Sequence, residues 1–104
     1  MVHGKIEIPD EALAEFCRRW KIKELALFGS AMRGDLRSDS DIDILVTFSP
    51  DADWSLFDHF HMENELVKLL GREVDLVSRK ALEESPNWIR RRSILESAET
   101  IYAG

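Results

Sequence analysis

The sequence predicts a small α/β domain in which helices flank a mixed sheet of three to four strands. Two observations support this fold class. Short apolar runs typical of buried strands alternate with longer helical patterns. The chain has 104 residues, which is enough for one hydrophobic core but not for two. We therefore expect residues 1–104 to form a single domain.

The first half of the chain predicts one helix and two strands. In Ile8–Trp20, a proline and two acidic residues precede an apolar stripe at helical spacing, which predicts a helix. The apolar run Leu25–Gly29 predicts a buried strand, and one helical turn is expected at Ala31–Gly34 in the polar segment that follows. Asp41–Phe48 gives the clearest strand pattern, since every second residue is apolar.

The second half predicts a strand between helices. Trp54–Leu70 carries apolar residues at helical spacing and is followed by Gly71, a common helix stop. Glu73–Ser78 predicts a third strand. A short helix is expected at Arg79–Glu84, and a final helix from Trp88 to about Tyr102.

The connections between the predicted strands indicate a mixed sheet. The strand–helix–strand unit from Asp41 to Val77 should form a right-handed parallel crossover. About a dozen residues join the first two strands, so that pair is expected to be antiparallel.

Composition excludes several classes of function. The formal net charge of −6 argues against a protein that binds nucleic acid through bulk electrostatics. The single cysteine, Cys17, cannot form an internal disulfide, which favours a reducing compartment. No apolar run approaches membrane length and the N-terminus lacks a signal-peptide core, so we expect a cytoplasmic protein that does not bind a membrane.

Three aspartates in apolar strands indicate a metal site. Asp41 and Asp43 are two residues apart on one strand, so both side chains leave the same face, roughly 6–7 Å apart along the chain. Two charges at that spacing repel by roughly 2–3 kcal/mol at an effective dielectric near 20. Asp75 would complete a triad if its strand is a neighbour. Such a triad suits Mg²⁺ or Mn²⁺ and can hold two ions roughly 3.5–4 Å apart.

These aspartates have two other interpretations. Aspartates at the start of a strand often only cap a turn or face water. A calcium loop is a second alternative, because Asp39, Asp41 and Asp43 match the first three ligand positions of an EF-hand. That alternative fails, since Ile44 stands where the loop needs glycine and Pro50 where it needs glutamate.

The Gly29-Ser30 pair at the end of the first strand favours the metal interpretation. Backbone N–H groups and a serine hydroxyl at such a position can bind phosphate. Phosphate donors on one side and metal ligands on the other are what nucleotidyl transfer requires.

These segments resemble a known family. Gly29-Ser30, ten further residues and then Asp41-Ile42-Asp43 resemble the signature of the DNA polymerase beta superfamily of nucleotidyltransferases, and more narrowly the minimal nucleotidyltransferases (MNT domains) of the Mnt-type antitoxins. "GSAMRG" resembles the Gly-Ser-x-x-x-Gly turn of that family. "SDSDIDILV" resembles its aspartate-bearing strand, and "REVDLVSRKAL" the later strand that carries the third aspartate.

The resemblance implies a polymerase beta-like nucleotidyltransferase fold and Mg²⁺-dependent transfer of AMP from ATP to a hydroxyl group. It implies that Asp41, Asp43 and Asp75 are catalytic residues that hold two Mg²⁺ ions, or Mn²⁺ ions. It implies that the nucleotide is bound by four further residues: Gly29, Ser30, Arg33 and Ser40.

The resemblance also implies a partner. In the Mnt-type group the acceptor is a tyrosine hydroxyl of a HEPN-domain ribonuclease toxin, which would make this chain a type VII antitoxin in a hetero-oligomer. Two alternatives stay open: nucleotidyl transfer to a small molecule or an RNA end, and a non-catalytic antitoxin that acts by binding alone.

Other residues receive structural interpretations. His59 and His61 are two apart on a predicted helix and point in different directions, which disfavours a shared metal. Cys17 lies on the apolar stripe of the first helix and is expected to be a small buried side chain. Four aromatic residues are expected in the core or in a partner interface rather than stacked on a base: Trp54, Phe57, Phe60 and Trp88.

Overall fold

The computed structural model describes residues 2–3, 6–29 and 41–104. The helical turn expected at Ala31–Gly34 lies outside these residues. None of the helices in the described ranges has the length and apolar character needed to cross a membrane. In chain order the elements are β1 (Val2–His3), β2 (Ile6–Glu7), α1 (Asp10–Arg19), β3 (Ile22–Phe28), β4 (Ile42–Phe48), α2 (Leu56–Leu70), β5 (Val74–Ser78), α3 (Arg79–Glu83), α4 (Trp88–Ser97) and β6 (Glu99–Ala103).

Within the described residues, the main sheet has four strands in the order β5-β4-β3-β6. Strand β3 is antiparallel to both β4 and β6, whereas β4 and β5 are parallel and are joined through α2. The mixed sheet, the antiparallel first pair and the parallel crossover predicted from sequence are therefore confirmed. Strands β1 and β2 form a separate antiparallel pair, which was not predicted because two-residue strands are too short to show periodicity.

Helices cover both faces of the sheet. On one face, α1 and α2 pack on the strands through a large buried cluster that includes Phe16, Ile44 and Met62. On the other face, α3 and α4 contribute to a smaller cluster: Ala26, Phe28, Leu45, Leu82 and Ile94. The alternation of β4 explains both clusters, since Ile42, Ile44 and Val46 point to the first and Leu45 points to the second.

Helix α2 begins and ends at strong local signals. The hydroxyl of Ser55 accepts a hydrogen bond from the Asp58 backbone N–H at 3.3 Å, and the Asp58 carboxylate accepts one from the Ser55 N–H at 2.9 Å, which makes a capping box. The helix ends at Gly71, whose φ of 72° is the left-handed conformation that favours glycine. The predicted start at Trp54 was two residues early, because Ser55 is the cap and Trp54 instead donates its indole N–H to the Trp20 carbonyl oxygen at 2.7 Å.

The final helix predicted from Trp88 to about Tyr102 was wrong in its last part. Helix α4 ends at Ser97, Ala98 is extended with a ψ of 133°, and Glu99–Ala103 forms the edge strand β6. The β-branched and aromatic residues of this segment favour a strand. Pairing with β3 also buries Ile101 against the core, which leaves that side chain 8% exposed.

Candidate active site

Asp43 and Asp75 meet across two parallel strands. They are register partners on β4 and β5, so both side chains leave the same face of the sheet. Adjacent strands lie about 4.8 Å apart, which brings the two carboxylates within reach of one shared cation. Asp43 is half-buried and Asp75 is exposed. The expectation that the strand of Asp75 is a neighbour of the Asp-x-Asp strand is confirmed.

Asp41 lies at the entrance to β4. It is exposed, and the next residue is fixed at the start of the strand by a hydrogen bond from the Ile42 N–H to the Glu73 carbonyl oxygen at 2.8 Å. Strand alternation places Asp41 on the same face as Asp43, roughly 6–7 Å along the chain. Within the described residues no three Asp, Glu, His or Cys side chains lie close enough to form a ready metal site. The triad therefore stays a prediction that rests on strand register.

Gly29 leaves room for the Asp43 carboxylate. It follows β3 with a φ of +71°, directly after Phe28, which is the register partner of Asp43. A Cβ at Gly29 would overlap the Asp43 Oδ2 atom and would lie 3.3 Å from its Cγ. Glycine is thus favoured twice, by the backbone angle and by the position of the Asp43 carboxylate. Close approach of a bare backbone to a clustered carboxylate fits a site for a hard divalent cation and a phosphate.

The other predicted nucleotide-binding residues lie outside the described residues. These are Ser30, Arg33 and Ser40, and their roles stay predictions from the sequence. The described part of the site thus consists of Gly29 and the two strands that carry the aspartates.

Packing beneath the aspartates fixes the strands that carry them. Asp43, Asp75 and Leu45 share a face of the sheet, and Leu45 is 4% exposed within the cluster that α3 and α4 cover. On the opposite face, Ile42 and Ile44 are fully buried. Because both neighbours of Asp43 along β4 are locked in the core, its position is set by a rigid strand.

Sequence reasoning missed two polar residues of α2 that bind the strand of Asp75. The Leu76 backbone N–H donates to the Glu63 Oε2 atom at 2.9 Å, and the His59 Nε2–H donates to the Leu76 carbonyl oxygen at 2.9 Å. The spacing of the two residues, one helical turn apart on the inner side of α2, was the available signal. His61 is exposed whereas His59 is half-buried, which confirms that these histidines point apart.

Three of the four aromatic residues considered from sequence lie at the surface. Phe57 is 78% exposed, Phe60 is 55% exposed and Trp88 is 58% exposed. Trp54 packs against the core and stacks edge-on with Trp20 at a centroid distance of 5.1 Å. Of the four, only Trp54 contributes to the core.

Comparison with known proteins identifies a family and several relatives. A family model described as "Nucleotidyltransferase domain" matches residues 9–101. The protein adenylyltransferase MntA of Thermococcus cleftensis is 41% identical over 68 residues, which is 65% of this chain and 67% of MntA. Another curated relative, from Methanocaldococcus jannaschii, is 39% identical over 64 residues, and there the match spans 64% of the relative's length.

Two solved structures have similar folds. One, of a "putative minimal nucleotidyltransferase", is 36% identical, covers 86% of this chain and 85% of its own, and gives a TM-score of 0.67. The other is the complex of a tri-AMPylated HEPN toxin with an MNT antitoxin from Shewanella oneidensis, with 18% identity, coverage of 91% and 70%, and a TM-score of 0.60. The polymerase beta-like fold expected from the sequence is confirmed. By the extent of the family match and the 36% identity, the chain belongs to the nucleotidyltransferase-domain family and is similar to its minimal members.

Proposed function

We propose that this chain transfers AMP from ATP to a hydroxyl group of another protein. The observation that carries the proposal is the register of Asp43 and Asp75 beside Gly29, because it joins two carboxylates to a backbone turn that favours glycine. Nucleotidyl transfer needs carboxylates for cations and an open backbone for phosphate at one place.

In this mechanism Asp41, Asp43 and Asp75 would hold divalent cations, Mg²⁺ or Mn²⁺. When bound, these ions supply the charge that neutralises the triphosphate and favours ionisation of the attacking hydroxyl. Gly29 has no side chain that would displace the Asp43 carboxylate, which can therefore lie against the backbone at the end of β3. Ser30, Arg33 and Ser40 are proposed to bind the nucleotide, as the family resemblance implies.

The carboxylate of Asp75 is the proposed proton acceptor. It is exposed on an edge strand, where an acceptor group can reach it. The hydroxyl oxygen forms a bond to the α-phosphorus, and the bond from that phosphorus to the oxygen bridging to the β-phosphate breaks. AMP is thus joined to the acceptor, pyrophosphate leaves with the bridging oxygen, and the hydroxyl proton passes to the carboxylate.

The proposed acceptor is a tyrosine hydroxyl of a HEPN-domain toxin, which would make the chain a type VII antitoxin of the cytoplasm. Two similarities support this. The relative MntA is named a protein adenylyltransferase, and the Shewanella complex pairs an MNT antitoxin with an AMPylated HEPN toxin. Chemistry at a partner's hydroxyl also suits an exposed carboxylate at the edge of the sheet.

The test follows label from ATP carrying ³²P at its α-phosphate. The chain is incubated with Mg²⁺ and with the HEPN-domain protein encoded by the neighbouring gene, and label is measured in protein, RNA and small molecules. We expect labelled toxin with the unchanged chain and background label with the Asp41→Asn, Asp43→Asn double variant. Asp51→Asn is the matched control, because Asp51 is an exposed aspartate away from the triad. Its carboxylate forms an ion pair with Lys21 at 3.5 Å.

Each alternative gives a different result. Label in RNA or in a free small molecule, but not in the toxin, would replace the acceptor and keep the reaction. No transfer to any acceptor, together with full toxin neutralisation by the double variant, would exclude catalysis and favour an antitoxin that acts by binding. Loss of label in Asp51→Asn as well would mean that the aspartate effect is not specific to the site.

A further inference from the structure

We propose that Glu63 and His59 are positioning residues, which hold Asp75 opposite Asp43 by binding the backbone of Leu76. The inference rests on the proposed function and deepens it, because it assigns part of the site to a helix that contributes no carboxylate to the triad.

The contact is made to both polar backbone groups of one residue. The Leu76 N–H donates to Glu63 Oε2 at 2.9 Å, and the Leu76 carbonyl oxygen accepts from His59 Nε2–H at 2.9 Å. A carbonyl oxygen can only accept, so the Nε2 atom of His59 carries the proton in this contact. Leu76 immediately follows Asp75, and therefore the two side chains restrain the backbone next to the aspartate.

The edge position of β5 explains why this restraint is needed. The Ile42 N–H bonds to the Glu73 carbonyl oxygen, so Glu73 directs that group towards β4. Along a strand, the backbone N–H and C=O groups of successive residues point alternately to its two sides. Asp75, two residues after Glu73, therefore also directs its backbone groups to β4, while Leu76 directs its own outward. Among the described residues, no strand lies on that outer side of β5, which ends the order β5-β4-β3-β6. Glu63 and His59 supply the donor and acceptor that a further strand would otherwise provide.

Helix α2 is a firm support for these two side chains. Between and after them, Met62 and Leu66 are fully buried in the core, at the i, i+3, i+4 and i+7 spacing of one helix face. A capping box fixes the start of the helix and Gly71 its end. A half-buried carboxylate at position 63 loses hydration, and the bond from a backbone N–H offsets that loss. Glu63 and His59, both on the inner side of α2, thus bind the two backbone groups of Leu76 in β5.

The test compares Glu63→Leu with Glu63→Gln and Glu65→Leu. Leucine keeps bulk without an acceptor, and glutamine keeps an acceptor oxygen. Glu65→Leu is the matched control, because Glu65 lies on the same helix but bonds to Arg19 at 2.9 Å and to Trp20 at 3.2 Å, away from β5. We expect hydrogen exchange at the Leu76 amide to be on the order of tenfold faster in Glu63→Leu, and unchanged in Glu65→Leu.

The kinetic expectation separates positioning from stability. Glu63→Leu should lower kcat by about tenfold or more, because a displaced Asp75 affects both the cations and the reacting hydroxyl. Glu63→Gln should retain most of kcat. Glu65→Leu should lower the melting temperature without lowering kcat. An equal loss of kcat in Glu63→Leu and Glu65→Leu would overturn the proposal.

A double-mutant cycle tests whether Glu63 acts through Asp75. In an Asp75→Asn background, Glu63→Leu should cause no further loss of kcat, since the group that it positions is already changed. A second loss of the same size would overturn the proposal. His59→Leu is the second variant, in case Glu63→Leu does not fold. It should likewise cause no further loss of kcat in the Asp75→Asn background.

The same cycle is run with Mn²⁺ alone, without ATP or acceptor, and binding is measured by electron paramagnetic resonance. Glu63→Leu should weaken Mn²⁺ binding, and it should have no effect once Asp75 is asparagine. Unchanged Mn²⁺ binding together with unchanged Leu76 exchange would refute the positioning role. If no acceptor receives AMP but both effects are seen, the proposed function fails while the positioning of Asp75 stands.

Discussion

Asp43 and Asp75 are register partners on neighbouring parallel strands, so two carboxylates leave one face of the sheet side by side. The two like charges repel each other, and a bound cation would relieve that repulsion. Two charges about 5–6 Å apart repel by about 1 kcal/mol when water screens them, and by more where it does not. Repulsion between the two carboxylates is therefore expected to lower the stability of the protein when no cation is bound, although both carboxylates serve the proposed function.

The first prediction concerns that repulsion. Asp75→Asn should raise the melting temperature by a few degrees in the presence of EDTA, since about 1 kcal/mol corresponds to roughly 4–8 °C in a domain of this size. Added Mg²⁺ should stabilise the unchanged chain more than the variant. Differential scanning calorimetry with EDTA and with Mg²⁺ measures both effects. Asp53→Asn, at an exposed loop residue, is the control and should show neither.

The second prediction concerns the turn beside Asp43. Gly29→Ala and Gly71→Ala should each cost about 1–2 kcal/mol, because both glycines have φ near +70° and alanine is strained there. Only Gly29→Ala should also reduce AMP transfer and divalent-cation binding, since a Cβ at Gly71 meets nothing within 4 Å whereas one at Gly29 meets the Asp43 carboxylate. Urea unfolding and Mn²⁺ titration of both variants provide the comparison. Equal loss of cation binding in the two variants would contradict it.

The third prediction concerns Cys17. Burial raises the pKa of its thiol from 9.0 to about 12, and the nearby Arg18 opposes this only in part. The unfolded chain releases this proton at lower pH than the folded chain, so the stability contributed by the neutral thiol is complete below pH 9 and is lost as pH rises towards 12. Between those values the free energy of unfolding should fall by up to about 1.4 kcal/mol per pH unit more in the unchanged chain than in Cys17→Ala.

Urea unfolding at pH 8, 10 and 11 measures this difference in slope. Parallel slopes for the two proteins would show that the thiol does not titrate differently on folding. As a second measurement, Cys17 should react slowly with a thiol reagent at pH 8 in the folded protein and quickly in urea, because the thiolate is the reactive form.

The fourth prediction concerns the strand that replaced the end of the expected final helix. Ile101→Ala should cost about 2–4 kcal/mol, since this side chain is buried between β3 and the helices. Thr100→Ala should cost less than about 0.5 kcal/mol, because Thr100 is exposed and its bond to Glu24 lies at the surface. Urea denaturation distinguishes the two. Nuclear Overhauser contacts between Leu25 and Tyr102 would confirm their pairing directly.

The sequence predicted the central strands well because their signals are local and agree with each other. The alternation in Asp41–Phe48 determined both the strand and its two faces, and the intervening helix implied a parallel crossover to the strand of Asp75, which the structure shows to be the neighbouring strand. The proximity of Asp43 and Asp75 follows from that pairing alone. Motif resemblance then indicated the family, which the match over residues 9–101 confirmed.

Features that depend on tertiary contacts were not predictable in the same way. Glu99–Ala103 is a strand because β3 offers it an edge, and local periodicity after α4 does not show that edge. The bonds of Glu63 and His59 to Leu76 depend on how α2 crosses β5. The spacing of the two residues places both on the inner side of α2, but it does not identify Leu76 as their partner.

The path of the chain through the sheet has a consequence for folding. The register of Asp43 and Asp75 is set within the contiguous segment Ile42–Ser78, which contains β4, α2 and β5. Strand β6, in contrast, pairs with β3 from the other end of the chain. Contacts of low sequence separation cost less loop entropy, so the pair of carboxylates is expected to come together early and the C-terminal strand to add last. The centre of the candidate site is encoded in a short, locally folding part of the chain.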